Sequence, residues 1–224
     1  MPPPLACNAL SCRREQWNEN GPSAVASVSL AFQPGTVNGF CGPDGSGKGL
    51  LLNVLGLLEP PDAGEILLHG KAVAGAPDES VRQLRNETFG FLFNHPCLLP
   101  SFSVAENVAM PLFRICGGDA QAARIRTLDV LEFCGIADRE ATLAGRLDLP
   151  SQRRTALARA LVHGPKILIA VSPRDCGALL QIARKAAECL GVTVLWSGAE
   201  DDLALHADRI FAMNEGRIIS DRNP

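Results

Sequence analysis

The sequence predicts an α/β fold with buried parallel strands, and two observations carry that prediction. A strand, a glycine-rich loop and a helix follow one another across residues 37–58. Two short continuous apolar runs, 166–171 (Lys-Ile-Leu-Ile-Ala-Val) and 192–196 (Val-Thr-Val-Leu-Trp), flank a segment of helical spacing at 178–190. Such runs suit strands covered on both faces, the arrangement that crossover helices produce.

Each element follows from local pattern. Residues 27–32 alternate polar with apolar and are closed by the turn-forming Pro34-Gly35, so they read as a strand, and 37–41 reads as a second one feeding the loop. The helix over 49–58 stops before Pro60-Pro61, and 64–69 is strand-like up to Gly70. Apolar residues recur at helical spacing over 119–133 and 151–163, so the middle third is expected to be mainly helical. Pro150 suits the first turn of the later helix, where its missing N–H costs nothing. Residues 210–213, the turn Glu215-Gly216 and 217–220 suggest a closing hairpin.

Composition bounds the function. A chain of 224 residues is expected to form one unit spanning 1–224. Its formal net charge of -3 and its scattered Lys and Arg offer no basic field, which argues against nucleic acid as a partner. The longest apolar stretches, 49–58 and 166–172, fall short of the roughly 20 residues that span a bilayer. The first ten residues lack a cationic start and a signal-length apolar run, and Leu5-Ala6-Cys7 is a poor lipoprotein cleavage site, so a cytosolic chain is expected. Eight cysteines include no CxxC pair and lie mostly in apolar segments, where thiols pack as small hydrophobes.

The chemistry is concentrated in one loop. Gly42, Pro43, Asp44, Gly45, Ser46, Gly47, Lys48 and Gly49 match the first seven of the eight positions of the phosphate-binding pattern GxxxxGK[ST], after a strand and before a helix. Glycines let backbone N–H groups turn toward phosphate oxygens, the helix adds the positive end of its dipole, and Lys48 supplies a cation for the outer phosphates. The eighth position normally carries the hydroxyl that ligates Mg²⁺; here Gly49 has none, which puts Mg²⁺ binding in question.

Beyond the loop, over roughly residues 15–220, the chain resembles the ATP-binding subunits of ABC transporters, especially the lipoprotein-release and macrolide-export type. Residues 51–56, 61–70, 89–93, 98–100, 106–108, 111–112, 156–161 and 207–209 are similar to consecutive stretches of that family, in order. The resemblance implies a P-loop NTPase (RecA-like) core with an antiparallel β subdomain and an inserted helical subdomain at roughly 95–160. It also implies ATP as ligand, membrane-spanning partner subunits, a second nucleotide-binding subunit, and a place on the inner face of the plasma membrane.

Several of the family's functional positions are altered. Trp17 falls where an aromatic ring stacks on adenine, although it could equally pin an N-terminal strand. The glutamine that senses γ-phosphate and Mg²⁺ is replaced by Asn94, one methylene shorter. The signature Leu-Ser-Gly-Gly-Gln reads Leu147-Asp148-Leu149-Pro150-Ser151, so Asp148 brings negative charge toward a partner's phosphate and Pro150 removes a donor. Val171 and Ser172 replace the metal-orienting aspartate and the water-polarising glutamate, and Ala199 replaces the switch histidine.

These losses imply a pseudo-ATPase that binds ATP weakly and has a structural or regulatory role. One alternative is an active ATPase in which Asp175 or Glu200 stands in for the missing groups. Another is a small P-loop nucleotide kinase, since 45–49 also resembles nucleoside monophosphate kinases, although those carry a threonine where Leu50 stands and no arginine-rich lid is evident.

Overall fold

The computed structural model describes residues 2–18, 21–115, 119–171 and 177–224, without the side chains of 15–18, 21–23 and 114–115. It opens with a long antiparallel hairpin, β1 (Leu5–Asn18) and β2 (Gly21–Phe32). Strand β3 (Val37–Cys41), buried along its whole length, leads through the glycine loop into helix α1 (Lys48–Leu55). Strands β4 (Ala63–Leu68) and β5 (Lys71–Ala72) complete a four-stranded sheet of order β2-β1-β4-β5.

Helix α2 (Asp78–Thr88) and strand β6 (Phe89–Phe93) precede a run of helices: α3 (Val104–Ala109), α4 (Leu112–Ile115), α5 (Ala120–Phe133) and α6 (Leu149–Leu161). Strand β7 (Ile167–Val171), helix α7 (Gly177–Leu190), strand β8 (Thr193–Ser197) and helix α8 (Glu200–His206) follow. The hairpin β9 (Arg209–Asn214) and β10 (Arg217–Arg222) closes a six-stranded sheet of order β10-β9-β3-β8-β7-β6, parallel except for β10.

Strand alternation divides the core. Ile167 and Ile169 join one apolar cluster with β1, β2, β4 and α1, whereas Leu168 and Ala170 join another with α3, α5, α6, α7 and α8. Successive side chains point to opposite faces, so a continuous apolar run fills both layers at once. The first cluster holds three rings, with Phe40 stacked on Phe211 at 5.0 Å and Phe32 edge-on to both.

Several elements have no clear local signal. The alternation of β1 is broken by register shifts around Leu10, where Ala9 takes a positive φ of 46° and its displaced N–H donates to the Ser29 hydroxyl. Helix α2 buries none of its residues and so has no apolar stripe to read. Helix α3 has only six residues and is held by a capping box in which Ser103 and Glu106 satisfy each other's backbone N–H. The thiols divide: Cys7, Cys12, Cys41 and Cys134 are buried as expected, whereas Cys97 and Cys189 are exposed; Cys116 and Cys176 lie outside the described residues.

Candidate nucleotide site

The loop between β3 and α1 is shaped by close backbone approaches. Gly42 has φ 143°, and a Cβ there would lie 2.2 Å from the Met213 carbonyl oxygen; Gly47 has φ 94°, and its Cβ would lie 2.1 Å from that of Ala24. Both positions exclude side chains by contact as well as by conformation. Ser46 N–H donates to the Pro43 carbonyl at 3.2 Å, and Leu51 N–H donates to Gly47 at 2.8 Å, which starts the helix. The N–H groups of Lys48, Gly49 and Leu50 have no acceptor within that helix, the usual condition of a first turn.

Lys48 closes this cup. Its Nζ donates to the Gly42 and Pro43 carbonyls at 2.9 Å each and lies 4.0 Å from Asp44 Oδ1. Burial holds the ammonium below its ordinary value, while Asp44 and Cys41 pull in the opposite direction. Ser46 is buried, and its hydroxyl has no hydrogen-bond partner among the described residues. A cation, first-turn N–H groups and a concave backbone fit a phosphate group.

Strand order brings further positions to the same edge. The parallel strands β3, β8, β7 and β6 end together, so the loop, Ala199, Val171 and Asn94 all lie at their carboxyl ends. Phe93 pairs with Val171, so Asn94 leaves the sheet just past the end of β7, and Asn94 itself is half-buried. Val171 is the last residue of β7 and offers no carboxylate. Ala199 caps α8 without a side-chain bond, and its neighbour Glu200 pairs with Arg222 of β10. Ser172 and Asp175 lie outside the described residues, as does the side chain of Trp17.

Asp148, Leu149 and Pro150 stand elsewhere, at the start of α6. Asp148 is the N-cap, accepting from Ser151 N–H at 2.8 Å, and Pro150 occupies the first turn. Hydrogen bonds from the Ser151 side chain and amide, together with Arg139 and Arg154, hold the Asp148 carboxyl below its ordinary value. Among the described residues no hydrogen bond or ion pair links this segment to the loop.

The sequence profile of the ABC transporter family matches residues 25–173. The chain belongs to the ABC transporter family. It is 35% identical over 222 residues to the macrolide export ATP-binding/permease protein MacB of Burkholderia pseudomallei, covering 95% of this chain and 33% of that protein. It is 36% identical over 200 residues to the lipoprotein-releasing system ATP-binding protein LolD 2 of Caulobacter vibrioides, covering 87% of each. The chain thus spans about a third of the macrolide export protein it matches. A dimeric post-hydrolysis structure of the ATP-binding cassette MJ0796, bound to ADP and Pi, superposes with a TM-score of 0.84 at 25% identity over 98% of both chains. Family membership replaces the nucleotide-kinase alternative.

Within this ABC-family fold, the contacts that grip the loop come from distant segments. Met213, Ala24 and Gly216 all press on it: Gly216 N–H donates to the Ser46 carbonyl at 3.0 Å. Local sequence marks Glu215-Gly216 only as a hairpin turn, with no sign of what the turn touches. The pairing of Glu200 with Arg222 is equally invisible from spacing and occupies the carboxylate considered as a catalytic substitute. No helix among the described residues is long and apolar enough to cross a membrane.

Proposed function

We propose that the chain is the nucleotide-binding subunit of an ABC transporter and that it holds ATP weakly without hydrolysing it. The observation that carries this reading is a contrast at one sheet edge. Lys48 and the loop backbone form a phosphate cup, while Gly49 and Val171 offer neither hydroxyl nor carboxylate for a metal ion.

In this mechanism the Lys48 ammonium and the first-turn N–H groups of α1 hold the phosphates, as point charge and dipole. Among the described residues the donor set does not fit Mg²⁺, so no step runs through the metal. Asn94 is a methylene shorter than the family's glutamine, and Ala199 cannot hold a proton. Phosphoryl transfer depends on positioning and on stabilisation of spreading charge, so removing these groups together removes most of the catalysis. Asp148, with Pro150 behind it, disfavours closure on a nucleotide held by a second subunit.

On this reading residues 1–224 act as one nucleotide-binding unit with its helical segment at roughly 95–160. Its partners are membrane-spanning subunits and a second nucleotide-binding subunit, and it sits peripherally on the inner face of the membrane. The names of the macrolide-export and lipoprotein-release relatives support this placement.

The test is a fluorescent-ATP titration of the purified chain with and without Mg²⁺, alongside phosphate release. Binding that ignores Mg²⁺ and is lost in Lys48→Ala, with no phosphate released, is the expected result. Hydrolysis of Mg-ATP on the order of 1 per second, abolished by Lys48→Ala, overturns the proposal.

A further inference from the structure

We infer that Gly216, in the β9–β10 turn, is a positioning residue for the phosphate loop: its N–H orients the Ser46–Gly47 peptide so that the Gly47 N–H faces the bound phosphate. The inference rests on reading residues 42–49 as that loop.

The argument begins with peptide geometry. No described peptide bond is cis, and in a planar trans peptide the C=O of one residue and the N–H of the next point in opposite directions. Gly216 N–H donates to the Ser46 carbonyl at 3.0 Å, which pulls that oxygen outward toward the hairpin. The Gly47 N–H, sharing the same plane, is thereby turned away from the hairpin and into the cup beside Lys48. A donor held in place before the ligand arrives needs no reordering on binding.

The turn is itself anchored. Gly216 accepts from Ala26 N–H of β2 at 2.8 Å. Its φ is 77°, and a Cβ there would lie 2.6 Å from the Ala24 carbonyl oxygen, the same atom that faces Gly47. One carbonyl of β2 is therefore wedged between the hairpin turn and the phosphate loop, and any side chain at 216 would push the three backbones apart.

The decisive experiment removes the donor without adding bulk. The full chain is assembled by ligating a synthetic C-terminal segment in which glycolic acid replaces Gly216, so an ester oxygen stands where the N–H was. Affinity for fluorescent ATP is expected to fall about tenfold, the effect of one oriented donor. With the recombinant segment ¹⁵N-labelled, the Gly47 amide resonance is expected to move already in the free protein. Gly191→Ala, where φ is 69° and nothing lies within 4 Å of the new Cβ, serves as the stability control: it lowers the unfolding midpoint and leaves affinity unchanged.

Unchanged affinity with an unmoved Gly47 resonance in the ester overturns the role of Gly216. Equal binding by wild type and Lys48→Ala instead overturns the phosphate-loop reading. Should the ester chain fail to fold, a scalar coupling across the hydrogen bond between the Gly216 nitrogen and the Ser46 carbonyl carbon is measured in the unmodified chain; its absence overturns the inference.

Discussion

Replacing Gly47 by Ala measures how tightly the phosphate loop is clamped. The added Cβ meets two costs. Holding an alanine at φ 94° costs about 1–2 kcal/mol, because Cβ crowds the carbonyl in the left-handed region. The same Cβ would lie 2.1 Å from the Ala24 carbonyl oxygen, so β2 or the loop must give by about 1 Å, an overpacking cost of about 1–3 kcal/mol. Gly45→Ala supplies the comparison, since Gly45 has φ 79° but nothing lies within 4 Å of its Cβ. Urea unfolding followed by circular dichroism should therefore place Gly47→Ala below Gly45→Ala by about 1–3 kcal/mol, or a midpoint difference of about 1 M. Equal losses in the two variants would refute the clamp and show that conformation alone demands glycine at 47.

Two further perturbations test the core. His163 is held neutral, its value lowered from 6.5 by burial, while one ring nitrogen bonds the Phe89 carbonyl at 3.1 Å. Its folded value lies below its unfolded one, so its contribution is complete above about pH 6.5 and shrinks as pH falls through that value. Between pH 7 and 5 the urea midpoint of wild type should fall more steeply than that of His163→Gln; parallel curves contradict the assignment. Trp196 is 2% exposed between the six-stranded sheet and its covering helices, so Trp196→Ala should cost about 3–5 kcal/mol in the same assay, and a loss below about 1 kcal/mol refutes its place in the core.

The parts of the fold that could be read from sequence are those whose pattern is local. Strands β3, β7 and β8 are rich in apolar residues because both faces are covered, and the loop is legible because glycine and lysine at fixed spacing encode a backbone shape. Strand β1 escaped because its bulges interrupt the two-residue period, and α2 because a helix that buries nothing has no stripe. Pro150 is readable as a first-turn residue, and Asp148, immediately outside that turn, combines its negative charge with a second use that a reading of its charge alone leaves out. Its carboxylate is turned onto Ser151 as an N-cap, a use the Asp-Leu-Pro order could have suggested. The grip of Gly216 on Ser46 joins residues 170 positions apart, and no local spacing can signal a bond of that range.

That distinction bears on how much a surviving phosphate loop says about nucleotide. Gly42 and Gly47 are fixed by the carbonyls of Met213 and Ala24, so the fold would keep them even if nothing ever bound there. Ala199 bears no comparable load: it caps α8 without a side-chain bond, so a catalytic group there can be lost with little damage to the scaffold. Lys48 is the residue that separates the two cases. Its ammonium bonds two loop carbonyls, which could be a purely structural latch, while burial already lowers its hold on the proton. Lys48→Met keeps the stem and removes the charge. If the lysine serves a phosphate, the variant should lose fluorescent-ATP binding by about 100-fold, since a charged hydrogen bond is worth about 1.5–3 kcal/mol. Its urea midpoint should barely move, because a buried ammonium is replaced by an apolar group of similar length. A large fall in stability with unchanged affinity would make Lys48 a latch, and the loop a relic of packing alone.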